Sequence, residues 1–127
     1  MRTSTMVIMK DYLPDDWKTI IKPVNKASGI GGGSSSGTET VSDNCFLLAE
    51  IEIFGKTTYS VSGEGTQYAY YKAGNSKIKN QSGTAHSWLE RSPRNKEIEH
   101  FCIVGKDGRA GYNMAGMKRG VAFAFCV

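Results

Sequence analysis

No apolar run in the chain approaches the roughly 20 residues that a membrane-crossing helix needs, and residues 1–10 lack the basic-then-apolar order of a secretion signal. A protein without membrane insertion is expected. Cysteine and histidine are also scarce, with three Cys and two His in 127 residues. Three cysteines are too few and too odd in number for a disulfide framework, and a structural zinc site, which needs four convergent Cys/His ligands, is not expected without a C-x-x-C pair. Cys45, Cys102 and Cys126 are therefore read as buried thiols, with a Cys102–Cys126 bridge left open.

Acid-rich metal signatures are missing as well. Calcium takes about six to eight oxygen ligands from clustered carboxylates and amides, whereas Asp43-Asn44 and Asp107 stand apart. No metal and no cofactor is expected. The glycine-rich stretch GIGGGSSSG lacks the Lys-Ser/Thr and the following helix that a phosphate-cradling loop requires. It reads as a surface loop over residues 27–40.

What is present suits one domain spanning residues 1–127. Hydrophobic residues make up 39% and charged residues 22%, and 15 glycines point to many turns. Charge is divided unevenly. Residues 1–71 hold six Lys/Arg against eight Asp/Glu, and residues 72–127 hold ten against four. The C-terminal part can therefore steer an acidic partner such as a teichoic acid or an anionic glycan. Nucleic acid is not expected, because no nucleic-acid-binding motif accompanies the charge.

Met6, Met9 and Leu13 fall at helical spacing, and a second helix opens at Asp15-Asp16, with Trp17, Ile20, Ile21 and Val24 on one face before Pro23 stops it. Phe46-Leu47-Leu48-Ala49 reads as a buried strand that Ile51, Ile53 and Phe54 continue, with Glu50 and Glu52 alternating outward. Residues 56–85 read as a long polar, loop-rich middle anchored by Tyr59, Tyr68, Tyr70 and Tyr71. Phe101-Cys102-Ile103-Val104 is strand-like, Asp107-Gly108 signals a hairpin turn, and residues 120–127 alternate large and small apolar side chains as a buried strand would.

An enzyme reading finds little support. His100 and Cys102 would share a strand face, but a thiolate nucleophile needs exposure in a positive pocket, and the Cys102 run looks like buried sheet. Catalysis is not expected.

The ordered set SDNCFLLAEIEIFG, YSVSGEGTQYAYYKAGNSK, WLERSP, FCIV with a following DG, and GVAFAFCV resembles an uncharacterised domain family found at the C-terminal ends of phage and prophage tail proteins from gut Firmicutes. The closing pattern of Trp, Arg-Ser-Pro, Phe-Cys and Gly-Val is similar to the C-type-lectin-like fold of diversity-generating retroelement variable proteins and of formylglycine-generating enzymes. The resemblance implies an α+β, C-type-lectin-like domain with two short N-terminal helices, a small twisted antiparallel sheet and long loops. It also implies a virion-tail or cell-surface location, reached by lysis without a signal peptide.

By the same likeness, ligand is met on residues 94–100 and 105–119, where Arg94, Asn95, Lys96, Glu97, His100, Lys106, Arg109, Tyr112, Asn113, Met114 and Lys118 mix charge, amide, aromatic and thioether groups without strand or helix periodicity. Tyr and Arg give large contact area at modest entropic cost. The expected partner is a host cell-surface protein or glycan, bound without calcium, with other tail-protein domains as neighbours and homo-oligomerisation left open. Trp88 and Arg91 are read as scaffold. The alternatives are a structural or oligomerisation domain of a tail protein and a formylglycine-generating-enzyme-like oxidase.

Overall fold

The computed structural model describes residues 9–33 and 37–127. It is an α+β fold of a few short helices and small antiparallel sheets. Met6 and most of the first expected helix lie outside the described residues. Met9 is buried against Cys45, with Leu13 packed alongside.

Helix α1 spans Asp15–Ile20, with Asp15 and Asp16 in its first turn, where acids complement the helix dipole. It ends earlier than the apolar spacing suggested. Ile21 is already extended and buried, while Trp17 and Ile20 stay exposed. Val24, assigned by its spacing to the helix face, opens strand β1 (Val24–Gly29).

That strand corrects the reading of residues 27–40 as a loop. β1 pairs antiparallel with β2 (Thr38–Asp43) from Val24↔Asp43 to Gly29↔Thr38. The hydrophobic pattern missed both strands because β2, Thr-Glu-Thr-Val-Ser-Asp, buries none of its residues fully.

Strand β3 (Cys45–Leu47) leads not into more strand but into helix α2 (Glu50–Phe54), closed by Gly55 at φ 73°. A left-handed residue after a helix is the usual place for glycine. The change of period overturns the expectation that Glu50 and Glu52 point outward, since they are 0% and 3% exposed. Helix α3 (Ala69–Lys72) and the hairpin of β4 (Lys79–Gln81) and β5 (Thr84–His86) give regular structure to the supposedly loop-rich middle.

Strand β6 (Trp88–Pro93) pairs with β7 (His100–Val104), which pairs with β8 (Ala110–Met114). The Asp107-Gly108 turn forms as expected, with Gly108 at φ 81°. β8 also corrects the expectation that residues 105–119 lack strand structure. Between Leu89 and Pro93 the register of β6 shifts, and a bulge of this kind breaks the in/out alternation of a strand. Glu90, Arg91 and Ser92 are all buried as a result.

The last strand is shorter and less central than its alternation implied. β9 covers Phe123–Phe125 and pairs with β3 alone. Its residues are half-buried, and Val121 and Val127 are exposed. Cys126 is exposed and, like Cys45 and Cys102, a free thiol, so the three cysteines are not uniformly buried. Phe46, Leu48, Ile53, Tyr71, Trp88 and Val104 form the main core cluster.

Polar groups occupy the other half of the interior. Arg91 donates from Nε to the Ala27 carbonyl (2.9 Å), from Nη1 to the Leu47 carbonyl (2.9 Å) and to Glu52 Oε2 (2.5 Å), and from Nη2 to the Glu64 carbonyl (2.6 Å). Glu52 also accepts from the Ala49 N–H and from Lys26, which donates to the Tyr68 hydroxyl as well. Burial alone would raise the Glu52 pKa, but its bond to Arg91 and the Arg91 charge hold it below the ordinary value. Glu64 accepts from the Gly29 N–H (2.8 Å) and from Ser92 Oγ (2.6 Å), and Ser92 Oγ accepts from the Glu50 N–H. Glu90 is 2% exposed, and neither carboxyl oxygen has a hydrogen-bond partner among the described residues. Burial, then the charges of Glu50 and Glu64, push its pKa well above 4.5.

Two outcomes are expected. Replacing Arg91 with Met leaves Glu52 without its guanidinium, and chemical denaturation will show a loss of about 3–5 kcal/mol. Glu90 takes up its proton more readily folded than unfolded, so its contribution is complete below pH 4.5, its ordinary value, and is lost as pH rises through the raised folded value. Denaturation midpoints measured from pH 4.5 upward will fall more steeply in the wild type than in Glu90→Gln, which cannot titrate.

Candidate functional site

The bulged end of β6 delivers Arg94 and Asn95 into a turn closed by the Arg94 N–H on the His100 carbonyl (2.9 Å). Lys96 sits in this turn at φ 62°, a left-handed conformation that costs a side-chain-bearing residue about 1–3 kcal/mol and recurs at ligand-contacting segments. The turn lies beside β8, where the Ala115 N–H reaches the Glu99 carbonyl at 2.7 Å.

Tyr112 is the centre of this corner. The Arg94 guanidinium carbon lies 3.6 Å from its ring centroid, a cation–π stack. Tyr59 and His100 meet the same ring edge-on at 5.0 and 5.6 Å. Glu97 stands 3.5 Å from Arg94 Nη1, an ion pair that solvent weakens because the Glu97 side chain is 42% exposed, and its other carboxylate oxygen lies 3.8 Å from His100 Nδ1. Three side chains thus converge on a tyrosine that is itself 39% exposed, with Glu97 bracing two of them.

Beside this cluster opens a cleft of about 560 Å³, lined by Gly37, residues 57–62, Arg94 and Asn95. Hydroxyls of Thr57, Thr58, Tyr59, Ser60 and Ser62, one guanidinium and one amide dominate it. Asn95 Oδ1 is buried with no hydrogen-bond partner among the described residues, and an unpaired buried acceptor of this kind favours a donor.

The cleft wall is built from below. Glu50, at the start of α2, accepts from the N–H groups of Thr58 (3.1 Å), Tyr59 (3.1 Å) and Ser60 (2.8 Å) and from Ser60 Oγ (2.8 Å). Successive N–H groups aimed at one carboxyl group bend the chain into a tight arc. The Tyr59 carbonyl then accepts from the Asn95 N–H (2.8 Å), which ties the arc to the Arg94 turn.

Of the residues singled out from sequence, Arg94, Asn95, Glu97, His100 and Tyr112 are brought together, with Lys96 exposed in the same turn. Asn113 and Met114 adjoin through the pairs Phe101↔Asn113 and His100↔Met114. Lys106 and Arg109 are separated from them. They occupy the β7–β8 turn beyond Val104↔Ala110, four residues or about 13 Å along the strands from His100. Lys118 is exposed and lies past β8, outside the Tyr112 cluster. Tyr59 and the hydroxyl-rich arc were missed as site residues. Their signal is the run Thr57-Thr58-Tyr59-Ser60-Val61-Ser62, but only the burial of Glu50 reveals that it is anchored.

Cys102 does not join a nucleophilic pair. It is 0% exposed, and burial, then the charges of Glu90, Glu50 and Glu64, drive its pKa far upward. Among the described residues no group of three or more His, Cys, Asp or Glu is arranged to hold a metal ion, and no helix is long and apolar enough to cross a membrane.

If Glu50 shapes the arc, Glu50→Gln will loosen it by about 2 kcal/mol, the scale of lost charge-assisted hydrogen bonds. Amide exchange at Thr58, Tyr59 and Ser60 will then accelerate about thirtyfold at 25 °C, while exchange in β7 changes little.

Residues 9–127 match the family model described as Domain of unknown function (DUF6273). No curated protein and no solved structure matches the chain. The chain belongs to the DUF6273 family.

Proposed function

We propose that this DUF6273 domain is a non-enzymatic, C-type-lectin-like ligand-binding module of a phage or prophage tail protein, and that it recognises the host cell surface through the Tyr112 corner. The observation that carries the reading is the convergence of Tyr59, Arg94, His100 and Tyr112 next to a hydroxyl-lined cleft holding an unpaired Asn95 acceptor. Aromatic and guanidinium groups with partly exposed faces are the usual anchors of binding surfaces. An acceptor and a guanidinium side by side suit a ligand that offers both a hydroxyl and an anionic or carbonyl oxygen, as surface glycans and wall polymers do.

The working surface is smaller than the sequence-defined one. It comprises Tyr59, Arg94, Asn95, Lys96, Glu97, His100, Tyr112, Asn113 and Met114. Lys106 and Arg109 serve a separate edge. If the loops are diversified by a retroelement, the variation belongs in this corner.

A structural role within a tail assembly is the second reading, favoured by the exposure of the large apolar side chains Tyr12, Trp17 and Ile20, which would be covered in an assembly contact. Purified domain incubated with intact gut Firmicutes cells and their extracted wall polymers separates the two. Saturable binding is expected in the wild type and in a Lys106→Ala/Arg109→Ala variant, with a loss of tenfold or more in Arg94→Ala and Tyr112→Ala, each checked for folding. Absence of binding across the panel, together with a stable oligomer in sedimentation, would replace recognition with assembly.

A further inference from the structure

A second cleft, of about 320 Å³, shares no lining residue with the first. It lies between the β4–β5 hairpin and the segment leading to β9. Lys79, His86 and Arg119 line it, with Ser87 and Trp88 at its base, and no carboxylate is among its lining residues. Lys79 and Arg119 bring two positive charges to this hollow without a carboxylate in its lining to offset them, a setting that favours an anion.

The fold holds these groups in place through its framework. Lys79 and His86 are directly opposite in the hairpin, whose turn is made by Ser82 and Gly83 at φ 52° and 81°, the two left-handed residues of a tight hairpin turn. The Trp88 indole N–H donates to the Lys77 carbonyl (3.0 Å), which fixes the hairpin root, and Lys79 Nζ lies 5.5 Å from the Trp88 ring centroid. On the other wall, the Gly120 N–H donates to the Ser87 carbonyl and its carbonyl accepts from the Leu89 N–H, both at 2.9 Å. A Cβ at Gly120 would approach the Ser87 oxygen to 3.2 Å, so glycine suits this close crossing. Arg119, the neighbour of Gly120, lines the same cleft as the buried Trp88.

Arg119 is short of acceptors. Nη1 is used by the Lys118 carbonyl (2.7 Å), while Nε is buried with no hydrogen-bond partner among the described residues. A buried guanidinium donor without an acceptor costs about 1–3 kcal/mol, and an oxyanion would satisfy it. We propose that this cleft is an oxyanion site that takes a phosphate or carboxylate group of an anionic polymer through Arg119, Lys79 and His86. Phosphate and carboxylate share the chemistry that Arg119 requires, a charged oxygen able to accept from Nε–H.

The test is a titration of the isotopically labelled full chain at low ionic strength with tripolyphosphate and, separately, with trigalacturonate, followed by NMR at the Trp88 indole N–H and the Arg119 Nε–H. Saturable shifts at both are expected with at least one anion, and the anion that binds assigns the polymer class. Arg119→Gln and Lys79→Gln, shown to be folded by the Trp88 near-ultraviolet signal, should each weaken binding by about tenfold, whereas Arg94→Gln should leave it unchanged. If Arg119→Gln does not fold, Lys79→Gln and the loss of affinity with added salt carry the comparison. No saturable shift with either anion, wild-type affinity in the variants, or loss of the shifts in Arg94→Gln would overturn the proposal. The last result would place binding at the Tyr112 corner instead.

Discussion

The Arg91 guanidinium ties together elements that the chain presents far apart. It reaches the carbonyl of Ala27 in β1, the carbonyl of Leu47 in β3, the Glu52 carboxylate in α2 and the carbonyl of Glu64. Aromatic and aliphatic packing around Trp88 fills one side of the interior, but it does not dictate how the hairpin, the short helix and the connecting arcs sit relative to each other. Directed hydrogen bonds do. A planar group with donors in a fixed fork leaves few alternatives once its acceptors are in place, and a buried ion pair that loses one partner is heavily penalised.

This arrangement explains why buried carboxyl groups recur in so small a domain. Glu52 meets Arg91 and Lys26, Glu50 gathers three backbone N–H groups, and Glu64 receives Gly29 and Ser92. Glu90 is the exception. Its raised affinity for a proton follows from burial near two carboxyl groups without a compensating donor, and Glu90 opposes stability at neutral pH where Glu52 supports it.

Turn chemistry and binary pattern made part of this legible in the sequence. Phe101-Cys102-Ile103-Val104 followed by Asp107-Gly108 contains both the strand and its turn, whereas the interest of residues 94–100 and Tyr112 rests on the family likeness, which their mixed composition supports. The α+β class came from the family likeness, with which these signals agree. Glu50 and Glu52 were misplaced because Glu-Ile-Glu-Ile-Phe satisfies a two-residue period and a short helix equally well, and only the distant partners Arg91 and Ser60 decide between them. Likewise β1 and β2 carry too little apolar side-chain area to announce themselves, and Lys106 and Arg109 were grouped with Arg94 by proximity in sequence when the sheet sets them at opposite ends.

The way Glu50 holds residues 58–60 has a bearing on how this surface can change over generations. Every contact there but one is made to a main-chain N–H, which all residues except proline possess. The arc can exchange side chains at positions 58 and 59 while keeping its path. Shape and chemical identity are thus encoded by separate parts of the chain: an invisible acid beneath the surface fixes the first, and whichever side chains happen to stand above it write the second.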